Sequence, residues 1–173
     1  MKKETPTDLK QQIFSWYREW HAVEQLYAEW AARHGLSDTA LWVLLRIYRH
    51  DGMITQREIC QILGMPKQTV SCVLTAMEQR GILTRTRCTC DRRSCSIAFT
   101  PEGKRWADTL FGALCLAEEK AFSGLGQRDR LAFTRINGEL TCRLQEALAG
   151  SPAAAPLPLP EEESPAGPDG ETP

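Results

Sequence analysis

Residues 55–103, TQREICQILGMPKQTVSCVLTAMEQRGILTRTRCTCDRRSCSIAFTPEG, decide how the rest of the chain is read. Thr55 followed three residues later by Glu58 is a capping box, in which two orphan amide donors at a helix start are satisfied reciprocally. The helix it opens is expected to bury Ile59, Ile62 and Leu63, which recur at helical spacing. Gly64 makes a turn, and Pro66 suits the first position of the next helix, where a missing N–H costs nothing. That second helix runs to about Gln79, buries Val70, Val73, Leu74 and Met77, and stops at Gly81. Two short helices joined by a tight glycine turn form the helix-turn-helix pattern. Past Gly81 the period changes. Ile82 to Thr89 and Cys95 to Phe99 read as two strands, joined by the polar turn Cys90-Asp91-Arg92-Arg93-Ser94. A hairpin directly behind the second helix is a wing.

Working outward, residues 8–33 read as one long amphipathic helix with Leu9, Ile13, Trp16, Trp20, Val23, Tyr27 and Trp30 at three- and four-residue intervals. Its aromatic surface exceeds what its length requires. Gly35 is the expected C-cap. Ser37 caps the next helix, whose inward residues are Leu41, Leu44, Leu45, Ile47 and Tyr48, and Asp51-Gly52 stops it. On the far side of the hairpin, Thr100-Pro101 starts a helix with Trp106, Leu110, Leu114 and Ala117 on one face. Residues 123–126 break the chain, and a last helix carries Phe133, Ile136, Leu140, Leu144 and Leu148. The fold expected is mainly α with a small β-hairpin wing, a winged helix-turn-helix at about 36–100 with long helices on either side. Residues 150–173 hold seven of the ten prolines. They bury too little apolar surface to fold and are expected to be a disordered acidic tail.

The net charge of −1 hides an uneven distribution. The tail contributes five acids and no Lys or Arg, so the remainder holds 21 basic against 17 acidic residues. Residues 55–105 alone hold nine basic and four acidic residues, and it is this local field that a nucleic acid meets. No apolar run is long enough to span a bilayer. The amphipathic start of the chain is not a signal core. A cytoplasmic protein with no membrane partner is expected. Seven cysteines, an odd number without a secretion signal, argue against a disulfide framework. There is no Gly-rich phosphate loop, HExxH or nucleophile elbow, so neither an enzyme nor a bound cofactor is expected.

A helix that reads DNA offers short polar side chains near its N-terminus while its other face packs on the domain. Lys67, Gln68, Thr69 and Ser71 are polar and Val70 faces inward. Gln can bond adenine bidentately, Thr can meet a thymine methyl, and Lys67 suits a phosphate. In the hairpin Arg85, Arg87, Arg92 and Arg93 place guanidinium groups suited to phosphates and narrow minor grooves. The candidate set for double-stranded DNA is therefore Thr55, Lys67, Gln68, Thr69, Ser71, Arg85, Arg92 and Arg93. For any one of them an ordinary solvated surface position is the alternative. The order of capping box, glycine turn, polar helix and basic hairpin favours the DNA reading for the unit.

Asp91-x-Arg93, then Phe99-Thr100-x-x-Gly103, resembles the wing-to-helix signature of the MarR family of regulators. Pro66-Lys67-Gln68-Thr69-Val70-Ser71 followed by Glu78-Gln79-Arg80-Gly81-Ile82-Leu83 resembles that family's recognition helix and its exit. The resemblance covers residues 8–148 in element order and is specific between 55 and 103. It implies a MarR-like domain at 1–149. Helices at about 8–33 and 101–148 would intertwine in a homodimer, which accounts for the aromatic excess of the first helix. It also implies a DNA-binding transcription regulator, commonly a repressor released by a small-molecule effector or an oxidant. Three features depart from the pattern. Phe99 replaces the usual leucine, Cys72 stands where Arg or Asn is common, and the wing carries Cys88, Cys90 and Cys95.

Alternation puts Cys88 and Cys90 on one face of a strand. If the turn is centred on 90–93, Cys88 and Cys95 lie opposite one another, with Cβ atoms about 4.5–5.5 Å apart, near disulfide distance. Arginines around them would lower the thiol pKa and favour the reactive thiolate. Redox sensing by Cys88, Cys90 and Cys95 is the expectation that follows, against small residues filling strand positions. A zinc site lacks its fourth ligand, so no metal is expected. The other functional reading is a winged-helix protein-interaction module without sequence-specific DNA binding.

Overall fold

A computed structural model describes residues 6–50, 54–87 and 95–151. Its elements in chain order are α1 (Pro6–Arg33), α2 (Asp38–Tyr48), β1 (Ile54–Thr55), α3 (Gln56–Leu63), α4 (Lys67–Gln79), β2 (Leu83–Arg87), β3 (Cys95–Phe99), α5 (Pro101–Ser123) and α6 (Gln127–Ala149). The expected mainly helical architecture with a small hairpin is present. Asp51-Gly52, the wing turn with Cys88, Cys90, Arg92 and Arg93, and the tail from 152 lie outside the described residues. The chain divides into two compact units, Met1–Ala121 and Phe122–Pro173.

In the first unit the local chemistry sets the helix ends. The Ser37 side chain accepts from the Ala40 amide at 3.2 Å and so starts α2. Gly35, with φ of 68°, turns the chain after α1 in the left-handed region that a side chain resists. α2 is the spine of the core: Ala40, Leu41, Val43, Leu44, Leu45 and Ile47 are all buried. Against it pack Ile59 of α3, Val70, Leu74 and Met77 of α4, and Phe111 of α5.

The sheet has three antiparallel strands in the order β1-β3-β2. The extended Ile54-Thr55 pairs with β3, Ile54 opposite Ile97 and Thr55 opposite Ser96. β2 pairs with β3 from Leu83 opposite Phe99 to Arg87 opposite Cys95. Residues directly opposite share a face. Ile54, Leu83 and Ile97 thus form the apolar face that closes the core, and all three are buried.

Three expectations are corrected, two of burial and one of a helix start. Ile62 is 47% exposed, because a helix of two turns has only one covered edge and Ile59 occupies it. The buried face of α5 is Gly103, Ala107, Leu110, Phe111 and Leu114, rotated away from Ala117, which is exposed. Phe111 wins that place by packing its ring 5.4 Å from that of the half-buried Tyr48. Pro66, expected inside the helix, precedes it: its φ of −58° is proline's own, but its ψ of 143° is extended.

α1 buries only its last turns. Leu9, Ile13, Phe14, Tyr17, Trp20, Val23 and Leu26 are exposed. In the second unit the Phe122 and Phe133 rings meet edge to face at 6.5 Å, and Arg130 donates to the carbonyls of Phe122 and Leu125. No residue of α6 is buried, and Leu131, Phe133, Ile136, Leu144 and Leu148 all face outward.

Candidate nucleic-acid interface

The helix-turn-helix is built by backbone chemistry at each junction. The Glu58 amide donates to Thr55 Oγ1 at 3.3 Å, and the Thr55 amide donates to Glu58 Oε2 at 2.8 Å. The Thr55 hydroxyl also donates to Glu58 Oε2 at 2.8 Å. These bonds, the backbone one first, hold the Glu58 carboxyl below its ordinary pKa. The Thr55 hydroxyl is thereby committed to the cap, and it anchors α3 instead of adding to the polar face of α4. Gly64 closes α3 in the left-handed region at φ 64°, and the Met65 amide reaches back to the Cys60 carbonyl at 3.2 Å. Gln56 spans the turn, its side-chain amide donating to the Lys67 carbonyl at 3.0 Å. That bond braces the first turn of α3 against the first residue of α4.

α4 presents two faces. Val70, Leu74 and Met77 are buried, while Lys67 and Gln68 are exposed and Thr69 and Ser71 half-buried. No side chain caps the helix, since Pro66 stands at the N-cap. The outward face is a shallow depression lined by Gln68, Ser71, Cys72, Thr75, Ala76 and Gln79. The polar positions expected from the sequence end at Ser71, while the face itself continues through Thr75, Ala76 and Gln79. Steps of three and four residues onward from Gln68 would have found them. Thr69 sits beside the buried edge, away from that stripe.

The foot of the hairpin is tied to the exit of α4. The Thr100 amide donates to the Ile82 carbonyl at 3.0 Å, and its hydroxyl donates to the Gly81 carbonyl at 2.7 Å. The Gly103 amide in turn donates to Thr100 Oγ1 at 2.9 Å, capping α5. A Cβ on Gly103 would lie 2.0 Å from the Ile82 carbonyl oxygen, so only glycine fits. The Thr100-x-x-Gly103 motif is therefore a packing device between α5 and the chain leaving α4.

Within the hairpin, Arg85 lies opposite Ile97 on the face turned toward the helices. Its Nε is 2.9 Å from Glu78 Oε1 in the last turn of α4. The register also corrects the cysteine geometry: Cys95 opposes Arg87 and not Cys88, one residue out of the alignment a Cys88–Cys95 pair needs. Cys95 is half-buried. Cys88, Cys90, Arg92 and Arg93 lie outside the described residues.

Behind the interface, Glu118 of α5 joins α1 and α2. It accepts from the Tyr27 hydroxyl at 2.8 Å and from Arg49 at 2.6 Å. Burial first, and then the bond to Glu118, push the Tyr27 phenol up to about 12. Among the described residues no helix is long and apolar enough to cross a membrane.

The family model described as MarR family matches residues 34–94. Among solved structures, NMB1585, a MarR family regulator from Neisseria meningitidis, is 21% identical with a TM-score of 0.70, over 80% of this chain and 96% of that one. Reduced AbfR bound to DNA (AbfR is from Staphylococcus epidermidis) is 24% identical with a TM-score of 0.60, over 86% of this chain and 99% of that one. Disulfide-formed AbfR is 22% identical with a TM-score of 0.58, over 82% of this chain and 92% of that one. No curated protein matches the chain. The structural likenesses carry the fold, and the family model covers the segment with the helix-turn-helix. Residues 34–94 are thus similar to the MarR family, and the chain has the winged-helix fold of these solved structures.

Proposed function

We propose that this protein is a sequence-specific double-stranded DNA-binding transcription regulator, acting as a homodimeric repressor. The observation that carries the reading is the outward polar stripe of α4, held between a capped α3 and a basic hairpin. Gln68, Ser71 and Thr75 meet base edges along this stripe, while Thr69 lies away from it. Lys67 binds phosphate beside the uncapped amides of the first turn, whose partial positive charge attracts anions. Arg92 and Arg93 bind the backbone or minor groove from the wing. The bare apolar stripes of α1 and α6 support a dimer, since exposed patches of that extent mark interaction surfaces.

Release from DNA is by a small effector or by thiol oxidation at Cys88, Cys90 and Cys95. The solved AbfR structures, one disulfide-formed and one reduced on DNA, support the thiol route by analogy.

Selection of duplexes from a random pool tests the reading. A single enriched motif is expected, bound with an affinity that falls steeply with salt as counterions are released. Arg93→Ala should weaken every duplex alike. Absence of enrichment together with weak, sequence-blind binding would indicate the protein-interaction module instead. Mild oxidation of the wild type and of the triple Cys88/Cys90/Cys95→Ser variant separates the release routes. Loss of affinity in the wild type alone supports the thiols, and equal affinity throughout leaves the effector.

A further inference from the structure

We infer that Arg85, despite its place in a basic hairpin, is a positioning residue that sets the wing against the recognition helix through Glu78. The inference rests on the DNA-binding reading above. Its starting point is the register: Arg85 opposes the buried Ile97, so it leaves the sheet on the side of α4. The last turn of α4 supplies the carboxylate it meets, Glu78 Oε1, at 2.9 Å from Nε. The two side chains are 32% and 27% exposed, shielded more than an ordinary surface pair.

Two consequences follow for DNA. A guanidinium neutralised by an adjacent carboxylate adds almost nothing to the local positive field, so it releases few counterions on binding. The pair also bridges the two elements that must engage one duplex together. Thr100 fastens the base of the hairpin to Gly81 and Ile82. The Glu78–Arg85 pair adds a second point of attachment two residues further along β2 than the buried Leu83. Added to the β1 pairing and the buried Leu83 and Ile97, this side-chain link to α4 further restrains the hairpin's angle to that helix. A fixed angle lets base contacts from α4 and backbone contacts from the wing form at once.

The experiment measures affinity for the selected duplex and for random duplex across a salt series, for wild type, Arg85→Ala, Glu78→Gln and the double variant. Thermal unfolding is followed in parallel. The expected result is a loss of roughly tenfold for the selected duplex in each single variant, with no further loss in the double, the mark of one coupled pair. Salt slopes stay at the wild-type value, and the preference for selected over random DNA falls. The inference is overturned if Arg85→Ala lowers the salt slope by about one unit while Glu78→Gln binds as well as wild type or better, as a direct phosphate contact requires. It is equally overturned if the variants unfold at lower temperature yet keep full preference when folded, because the pair is then merely stabilising. A wild type that selects no duplex removes the DNA-binding reading itself, a result separate from either.

Discussion

The Thr100 hydroxyl donates to the Gly81 and, at longer range, Ile82 carbonyls and accepts from one amide, and its own backbone pairs with Ile82, all at the point where hairpin, turn and α5 converge. Gly103 makes that convergence possible by leaving out its Cβ. Gly103→Ala places a methyl 2.0 Å from a backbone oxygen, which no rotamer change relieves. The chain must move, and a loss of about 3 kcal/mol in chemical denaturation is expected, at the upper end of overpacking costs. Tyr27 makes a different test. Its phenol is raised to about 12 in the folded protein, against an ordinary 10.0. A raised acid favours the protonated form in the folded state, so its contribution is complete below pH 10. It is lost as pH rises through the folded value. Unfolding free energy should therefore fall between pH 10 and 12, and Tyr27→Phe should flatten that fall.

At the scale of elements, α4 is useful because its two faces are chemically unlike and its ends are fixed. Val70, Leu74 and Met77 hold it to the core, while Gln56, Gly64 and Pro66 set where it begins. Lys67 and Gln68 are adjacent and exposed, yet they should fail differently. Lys67→Ala should weaken all duplexes and lower the salt slope by about one unit. Gln68→Ala should keep the slope and cost about 1–3 kcal/mol of discrimination at one base pair. Binding isotherms at four salt concentrations, on the selected duplex and single-base variants, separate the two.

For the whole molecule, the apolar surface left bare is the main unexplained quantity in a single chain. α1 exposes seven large apolar residues and α6 five. Apolar stripes of this kind fit surfaces covered by a partner, as in the homodimer proposed above. Sedimentation velocity should show a dimer for the wild type. Trp20→Glu on α1 or Ile136→Glu on α6 should shift the population toward monomer and weaken duplex binding with it, since paired half-sites need paired subunits.

Signals confined to a few neighbouring residues were legible without coordinates. The Thr55–Glu58 capping box, the Ser37 cap, the Gly64 turn and the helical order all depend on contacts within about four residues, which the chain carries in its own spelling. So was the polar start of α4. What depends on partners distant in sequence was not. The rotation of α5 that buries Phe111 and exposes Ala117 was decided by Tyr48 and the core of α2. The hairpin register was decided by Ile54, Leu83 and Ile97 closing on that core, and a one-residue difference separates Cys95 from Cys88. Arg85 shows the division most directly. Sequence alone establishes its charge and its strand, but the face it leaves from, and hence its partner Glu78, exist only once sheet and helix have packed together.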